Sequence, residues 1–222
     1  MCGRFALTAS PEAIQAAFPG YEVPRQLAPR YNIAPTQPVA VISNTGSQAV
    51  DVFVWGLIPS WAQDPSIGNR MINARAESLA EKPAYRNAYR RRRCLVLTDG
   101  FYEWRKEPGQ KAKTPMYIHL KSGGVFAFAG LWEVWNSPLG DPVYSCTVIT
   151  TGPNTLMQPI HDRMPVILAP ADYDRWLAPE ERRPEQLADL LKPYPVEDME
   201  AFAVSPLVNS PVNDSAQCIE PA

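Results

Sequence analysis

The sequence predicts an α+β fold, a mixed, barrel-like β-sheet core with a few peripheral helices, in a single domain spanning residues 1–222. Three observations carry this. Proline occurs 24 times in 222 residues, about twice the usual share, and chops the chain into short elements that suit strands and ordered loops better than a helical bundle. Nine runs rich in β-branched and aromatic residues are bounded by Gly, Pro, Asn or Asp, the pattern of short strands. No repeat, low-complexity tract or long linker divides the chain.

In order along the chain, CGRFALT (2–8) reads as a strand. Ser10-Pro11-Glu12 then opens a helix, with a capping hydroxyl, a proline at the first helical position and an acid in the first turn. PVAVIS (38–43) and VDVFVWGLI (50–58) are strand-like, and a helix follows around 81–90. RCLVLTD (93–99), PMYIHL (115–120), GVFAFAGLWEVW (124–135), YSCTVITT (144–151) and MPVIL (164–168) are further strand runs. Helices are expected around 170–177 and 184–192, with AFAVSPLV (201–208) as the last strand.

Hydrophobic residues make up 45% of the chain, which excludes a disordered polymer. The longest apolar runs, such as 125–132, are too short to cross a bilayer, and no basic-then-apolar secretory signal is visible. Cys2, Cys94, Cys146 and Cys218 form no CxxC pair, and with only His119 and His161 as histidines no zinc pattern can be assembled. The reading is a reduced, cytoplasmic protein needing no metal and no cofactor. Its formal net charge of −2 hides an uneven distribution. Residues 1–170 hold 17 Lys and Arg against 12 Asp and Glu, whereas 171–200 hold 4 against 9. Either a basic surface lies on the first three quarters, or these charges simply solvate the surface.

Four stretches place a reactive polar residue among turn-forming or apolar neighbours: MCGRF (1–5), INARAES (72–78), DGFYEW (99–104) and IHDRMP (160–165). Singly, each has a plain explanation: a small buried cysteine, a turn asparagine, an exposed strand acid, a satisfied core histidine. Position 2 nevertheless gives cysteine an option no interior position has. Once Met1 is removed, Cys2 carries an α-amine two carbons from its thiol, with unperturbed pKa values of roughly 7.7–8.0 and about 8.5. Such a 1,2-aminothiol can form an imine with an aldehyde and then close sulfur onto the same carbon, giving a five-membered thiazolidine. Tethering makes the second step intramolecular.

Together the four stretches resemble the SOS response-associated peptidase (SRAP) family, whose members process abasic sites in single-stranded DNA. RYNIAPTQ (30–37), WGLIPSW (55–61), VITT (148–151) and VSPLVN (204–209) also look like family segments, so the resemblance runs over nearly the whole chain. It implies the SRAP fold, covalent capture of DNA by Cys2, and catalytic roles for Asn73, Glu103 and His161. On this reading Glu103 shuttles protons, its pKa raised by burial among Phe101, Tyr102 and Trp104. Asn73 orients the amine or holds the carbinolamine oxygen without adding charge. His161 protonates the sugar oxygen, promoting ring opening, and assists reversal or β-elimination. Gly3 lets backbone and DNA approach closely. The partner implied is single-stranded DNA containing abasic sites, met by a monomer that is nucleoid-associated when bound.

Arg4, Arg75 and Arg163, each within two residues of a proposed catalytic group, are candidate phosphate ligands. Trp61 and Trp104 either stack on bases flanking the lesion or pack the core. Pro35 and Thr150 belong to segments resembling the active-site surround. The run Arg90-Arg91-Arg92-Arg93 fits a helix C-terminus or a peripheral phosphate contact. Where some members carry a second tryptophan after WGLIPSW, this chain has Ala62, implying a smaller wedge. Two rival readings remain. One is an N-terminal-nucleophile amidohydrolase of glutamine amidotransferase type, although the Asn-Gly pair common in those enzymes is absent here. The other is a DNA-binding module in which Cys2 is incidental.

Overall fold

The computed structural model describes residues 2–222 apart from Gln110 and Leu139. In chain order the strands are β1 (Phe5–Leu7), β2 (Arg30–Ile33), β3 (Pro38–Ser43), β4 (Val50–Trp55), β5 (Asn73–Arg75), β6 (Arg93–Thr98), β7 (Gly100–Lys106), β8 (Lys113–Leu120), β9 (Phe126–Asn136), β10 (Pro142–Thr151), β11 (Met164–Pro165), β12 (Ile167–Leu168) and β13 (Met199–Ala203). The α-helices are α1 (Pro11–Ala17), α2 (Arg86–Arg91) and α3 (Tyr173–Leu177).

Five of these strands close into a mixed barrel. β10 runs parallel to β4, and the pairs β4–β3, β3–β6, β6–β9 and β9–β10 are antiparallel, so the hydrogen-bonded path returns to its start. Closure satisfies backbone groups that an open sheet would leave at its edges. β5 and β11 add to β10, and β12 adds to β9. A second, antiparallel sheet has the order β13-β8-β7-β1-β2. Aromatic rings join the two. Phe5 of β1 meets Trp55 of the barrel at 4.9 Å and Phe128 at 5.8 Å, and Phe101 of β7 meets Phe128 at 5.8 Å. Burying such large rings supplies much of the apolar stabilisation between layers.

The strand runs read from composition fall on strands, with MPVIL split into β11 and β12 and the SPLV end of the last run forming a 3-10 turn over Pro206–Asn209. The helix opened by Ser10 is α1, whose Ala13 amide donates to the Ser10 hydroxyl. One expectation needs correction. Residues 184–192 form two 3-10 turns, Pro184–Gln186 and Ala188–Leu190, instead of an α-helix. Their amides donate three residues back, Leu187 to Pro184 and Leu190 to Leu187, and Pro193 follows too soon for an α-helix to propagate.

Candidate active site

The seam between the barrel and the second sheet gathers the four proposed catalytic residues. β1 pairs with β7 through Phe5 opposite Phe101 and Ala6 opposite Gly100, and the Tyr102 amide donates to Arg4 O at 2.9 Å. Continuing that register sets Gly3 opposite Glu103 and brings Cys2 beside it. On the barrel side, the Trp55 indole that packs on Phe5 donates to Ile72 O at 2.9 Å, which fixes the residue before Asn73. Next to Trp55, Gly56 (φ 138°) lets the turn at Gly68 pack close, since a Cβ there would stand 2.6 Å from Gly68 O.

From this position Asn73 Nδ2 donates to the Cys2 carbonyl at 2.6 Å. Asn73 Oδ1 is buried and has no hydrogen-bond partner among the described residues. The Tyr85 hydroxyl donates to Asn73 O at 3.3 Å. Cys2 is fully buried, and burial, reinforced by the Glu103 charge, pushes its thiol pKa well up. This corrects the ordinary thiol value expected from the sequence: the thiol is held protonated. Glu103 is 3% exposed, and burial raises its carboxyl above the usual range, with His161 opposing.

His161 follows a turn in which Asn154 Oδ1 accepts from the Met157 amide at 3.0 Å, and the His161 amide donates to Met157 O at 2.8 Å. Its Nε2 lies 4.0 Å from Glu103 Oε2. Nδ1 lies 3.1 Å from the Arg163 amide and 2.8 Å from the exposed Asp162 carboxylate. These two neighbours ask for opposite tautomers. The backbone amide cannot turn away, whereas the Asp162 side chain can, so Nδ1 accepts and Nε2–H points toward Glu103.

The proposed DNA ligands separate. Arg75 and Trp61 are exposed, the latter at 61%. Pro35 is half-buried in a turn whose next residue, Thr36, takes φ 70°, a conformation that usually selects glycine. Two residues stand differently from expectation, Arg163 and Thr150, while Trp104 takes its packing alternative. Arg163 forks onto Glu77 at 2.7 and 3.0 Å and donates to Thr150 O at 2.5 Å, so its guanidinium is already engaged by the protein. Thr150 is fully buried and out of reach of a strand. Trp104 packs against the C-terminal segment: its indole donates to Asn209 Oδ1 at 2.7 Å, and the Arg4 guanidinium lies 5.8 Å over the ring. Arg4 also donates to Asn32 Oδ1 and Val208 O, each at 2.7 Å.

Sequence reasoning missed Tyr85, Glu77, Asn32 and Asn154. Glu77 lies within INARAES and Asn32 within RYNIAPTQ, but their partners Arg163 and Arg4 are 86 and 28 positions away. No local spacing announces such pairs.

The model of the family described as SOS response associated peptidase (SRAP) matches residues 1–211. The chain is 50% identical over 223 residues to the abasic site processing protein YoqW of Bacillus subtilis (strain 168), covering 99% of each. To the abasic site processing protein HMCES of Mus musculus it is 27% identical, covering 100% of this chain and 76% of that one. A crystal structure of a protein from Bacteroides thetaiotaomicron superposes with a TM-score of 0.89 at 29% identity, covering 100% of both chains. With a barrel that places Cys2, Asn73, Glu103 and His161 along one seam, the chain belongs to the SRAP family.

Proposed function

We propose that this protein processes abasic sites in single-stranded DNA by trapping the lesion covalently through Cys2 after loss of Met1, shielding it during the damage response. Met1 itself lies outside the described residues. The observation that carries the reading is the Asn73 amide, which grips the Cys2 carbonyl at 2.6 Å and keeps beside it a buried Oδ1 that has no partner among the described residues. A buried acceptor without a donor is uncommon in a native protein, and an α-ammonium at Cys2 supplies one.

The steps follow from the protonation states. As the sugar opens to its aldehyde, Glu103 takes the anomeric hydroxyl proton, His161 Nε2–H gives one to the ring oxygen, and the Glu103 proton passes across to His161 Nε2, leaving both groups as they began. Glu103 takes a proton from the Cys2 ammonium, and the amine adds to C1′. The resulting carbinolamine hydroxyl leaves as water with a proton returned by Glu103, giving a protonated imine. Burial holds the thiol protonated, so nitrogen attacks first. Sulfur then adds to the carbon of the protonated imine, the thiol proton passes to Glu103, and the neutral thiazolidine closes with net loss of one water. Aligned, tethered groups make this last step fast and favour the closed ring. Trp61 offers a stacking face to a flanking base, and Arg75 a fork to a phosphate. The same groups support the lyase and self-processing activities: His161 can serve β-elimination, and Cys2 can serve release of Met1.

Incubation with an abasic single strand tests this. The wild-type chain is expected to give an adduct that survives heating in denaturant, and Cys2→Ala to give none. An undiminished adduct from Cys2→Ala would remove Cys2 from the chemistry.

A further inference from the structure

The arginine run of the sequence divides into distinct tasks. Arg93 is fully buried, and its guanidinium donates to the carbonyls of Trp176 (2.7 Å), Tyr89 (3.3 Å), Arg90 (2.6 Å), Glu180 (3.2 Å) and Ala178. It donates to the carbonyls at the end of α2, where Arg90 O also accepts from the Arg182 amide, and offsets the negative pole there. Arg92 holds both oxygens of Glu133 at 2.7 Å and lies 5.8 Å over Trp132. Arg90 and Arg91 differ. They share one carboxylate, Glu181, at 2.6 and 2.7 Å, with side chains 48% and 68% exposed. Together with Arg92, Ser60 and Asn87 they line a surface cleft of about 290 Å³.

Two pieces of chain tie this cleft to the reacting groups. Ser60, on its wall, directly precedes the exposed Trp61. Tyr85, which bonds Asn73, directly precedes α2, and a helix of six residues runs only about 9 Å. We propose that the cleft holds a backbone phosphate of the DNA strand, a few nucleotides from the reacting sugar and beyond the base that meets Trp61. This rests on the reading of a single-stranded DNA substrate. Arginine forks, a hydroxyl and a side-chain amide are the donors a phosphate takes. Two arginines balanced by one acid leave the cleft cationic, and Glu181 occupies the forks that a phosphate would claim. Glu181 therefore acts as a competitor whose removal strengthens binding, which a purely structural ion pair would not do.

Equilibrium binding to an undamaged oligothymidine, which needs no chemistry at Cys2, is the test. Against a strand of about twenty nucleotides, the double variant Arg90→Ala/Arg91→Ala is expected to bind roughly three- to tenfold more weakly, with a log–log salt slope flatter by about 0.7 per lost phosphate contact. Glu181→Gln is expected to bind more tightly and with a steeper slope. A strand too short to span from Trp61 to the cleft should not distinguish the three proteins. Unchanged affinity and slope in the double variant, or weaker binding by Glu181→Gln, overturns the proposal. If the wild type yields no covalent adduct while these shifts appear, covalent capture fails and the phosphate cleft stands.

Discussion

Glu103 sits where an ionised carboxylate is least welcome, and its position opposes stability while serving chemistry. Burial raises its pKa above the ordinary 4.5, so the native state binds this proton more tightly than the unfolded chain does. Stability from this group is therefore greatest below 4.5 and declines as pH climbs through the raised native value. Glu103→Gln removes that loss. Calorimetric melts are expected to show the variant gaining on the wild type as pH rises toward about 8, with the advantage vanishing in acid. Adduct formation should slow about a hundredfold or more, the usual loss when a general acid–base group is deleted. A variant that melts lower at alkaline pH would place the carboxyl in a stabilising role instead. Asn73 complements it: a neutral amide can hold the Cys2 carbonyl and accept from an amine without adding a second buried charge.

At the scale of elements, the IHDRMP loop and α2 are held by arginines in different ways. Arg163 fastens its loop to Glu77 and to the β10 carbonyl of Thr150, and so sets the height of His161 over Glu103. Arg163→Lys keeps the charge but loses the fork. Single-turnover kinetics are expected to show adduct formation about tenfold slower, since small displacements of a reacting group weaken catalysis steeply. A wild-type rate would show that the loop needs no such tie. Arg93→Ala takes a donor from five carbonyls, of which Arg90 O keeps another in the Arg182 amide, and a loss of about 3 kcal/mol or more is expected, lowering Tm by roughly 6–12 °C. A shift under about 2 °C would mean that water replaces the guanidinium without loss.

These elements also show what was legible. Runs such as PVAVIS and VDVFVWGLI carry enough β-branched residues to declare themselves. β2 and β5 do not, because RYNI and NAR are short and polar, and their extended form comes from pairing with β1 and β10. Glu103 was legible as a strand acid, with partial burial suggested by its aromatic neighbours and an exposed side chain as the alternative. Trp104, next to it, was not: the residues that enclose it, Arg4 and Asn209, lie 100 and 105 positions away. The four catalytic candidates came from motif resemblance. Their meeting is non-local, with Cys2 and Asn73 separated by 71 positions.

Over the whole molecule, two layers converge on the chain's beginning. The aromatic seam fixes β1 against the barrel, and the C-terminal segment straps the other side. Buried Asn32 donates to Val208, Ser210 and Asn213 carbonyls at 3.2, 3.0 and 2.6 Å while accepting from Arg4. Position 2 is thus clamped from both sheets and from the far end of the chain, as a nucleophile that must keep its alignment requires. The most direct measurement is intact mass of the full chain before and after exposure to an abasic single strand, with peptide mapping of the product. Capture by Cys2 predicts a chain lacking Met1 that gains the mass of the strand less one water, the bond mapping to residue 2. Crosslinked protein that still carries Met1, or a strand attached at any other residue, would contradict it.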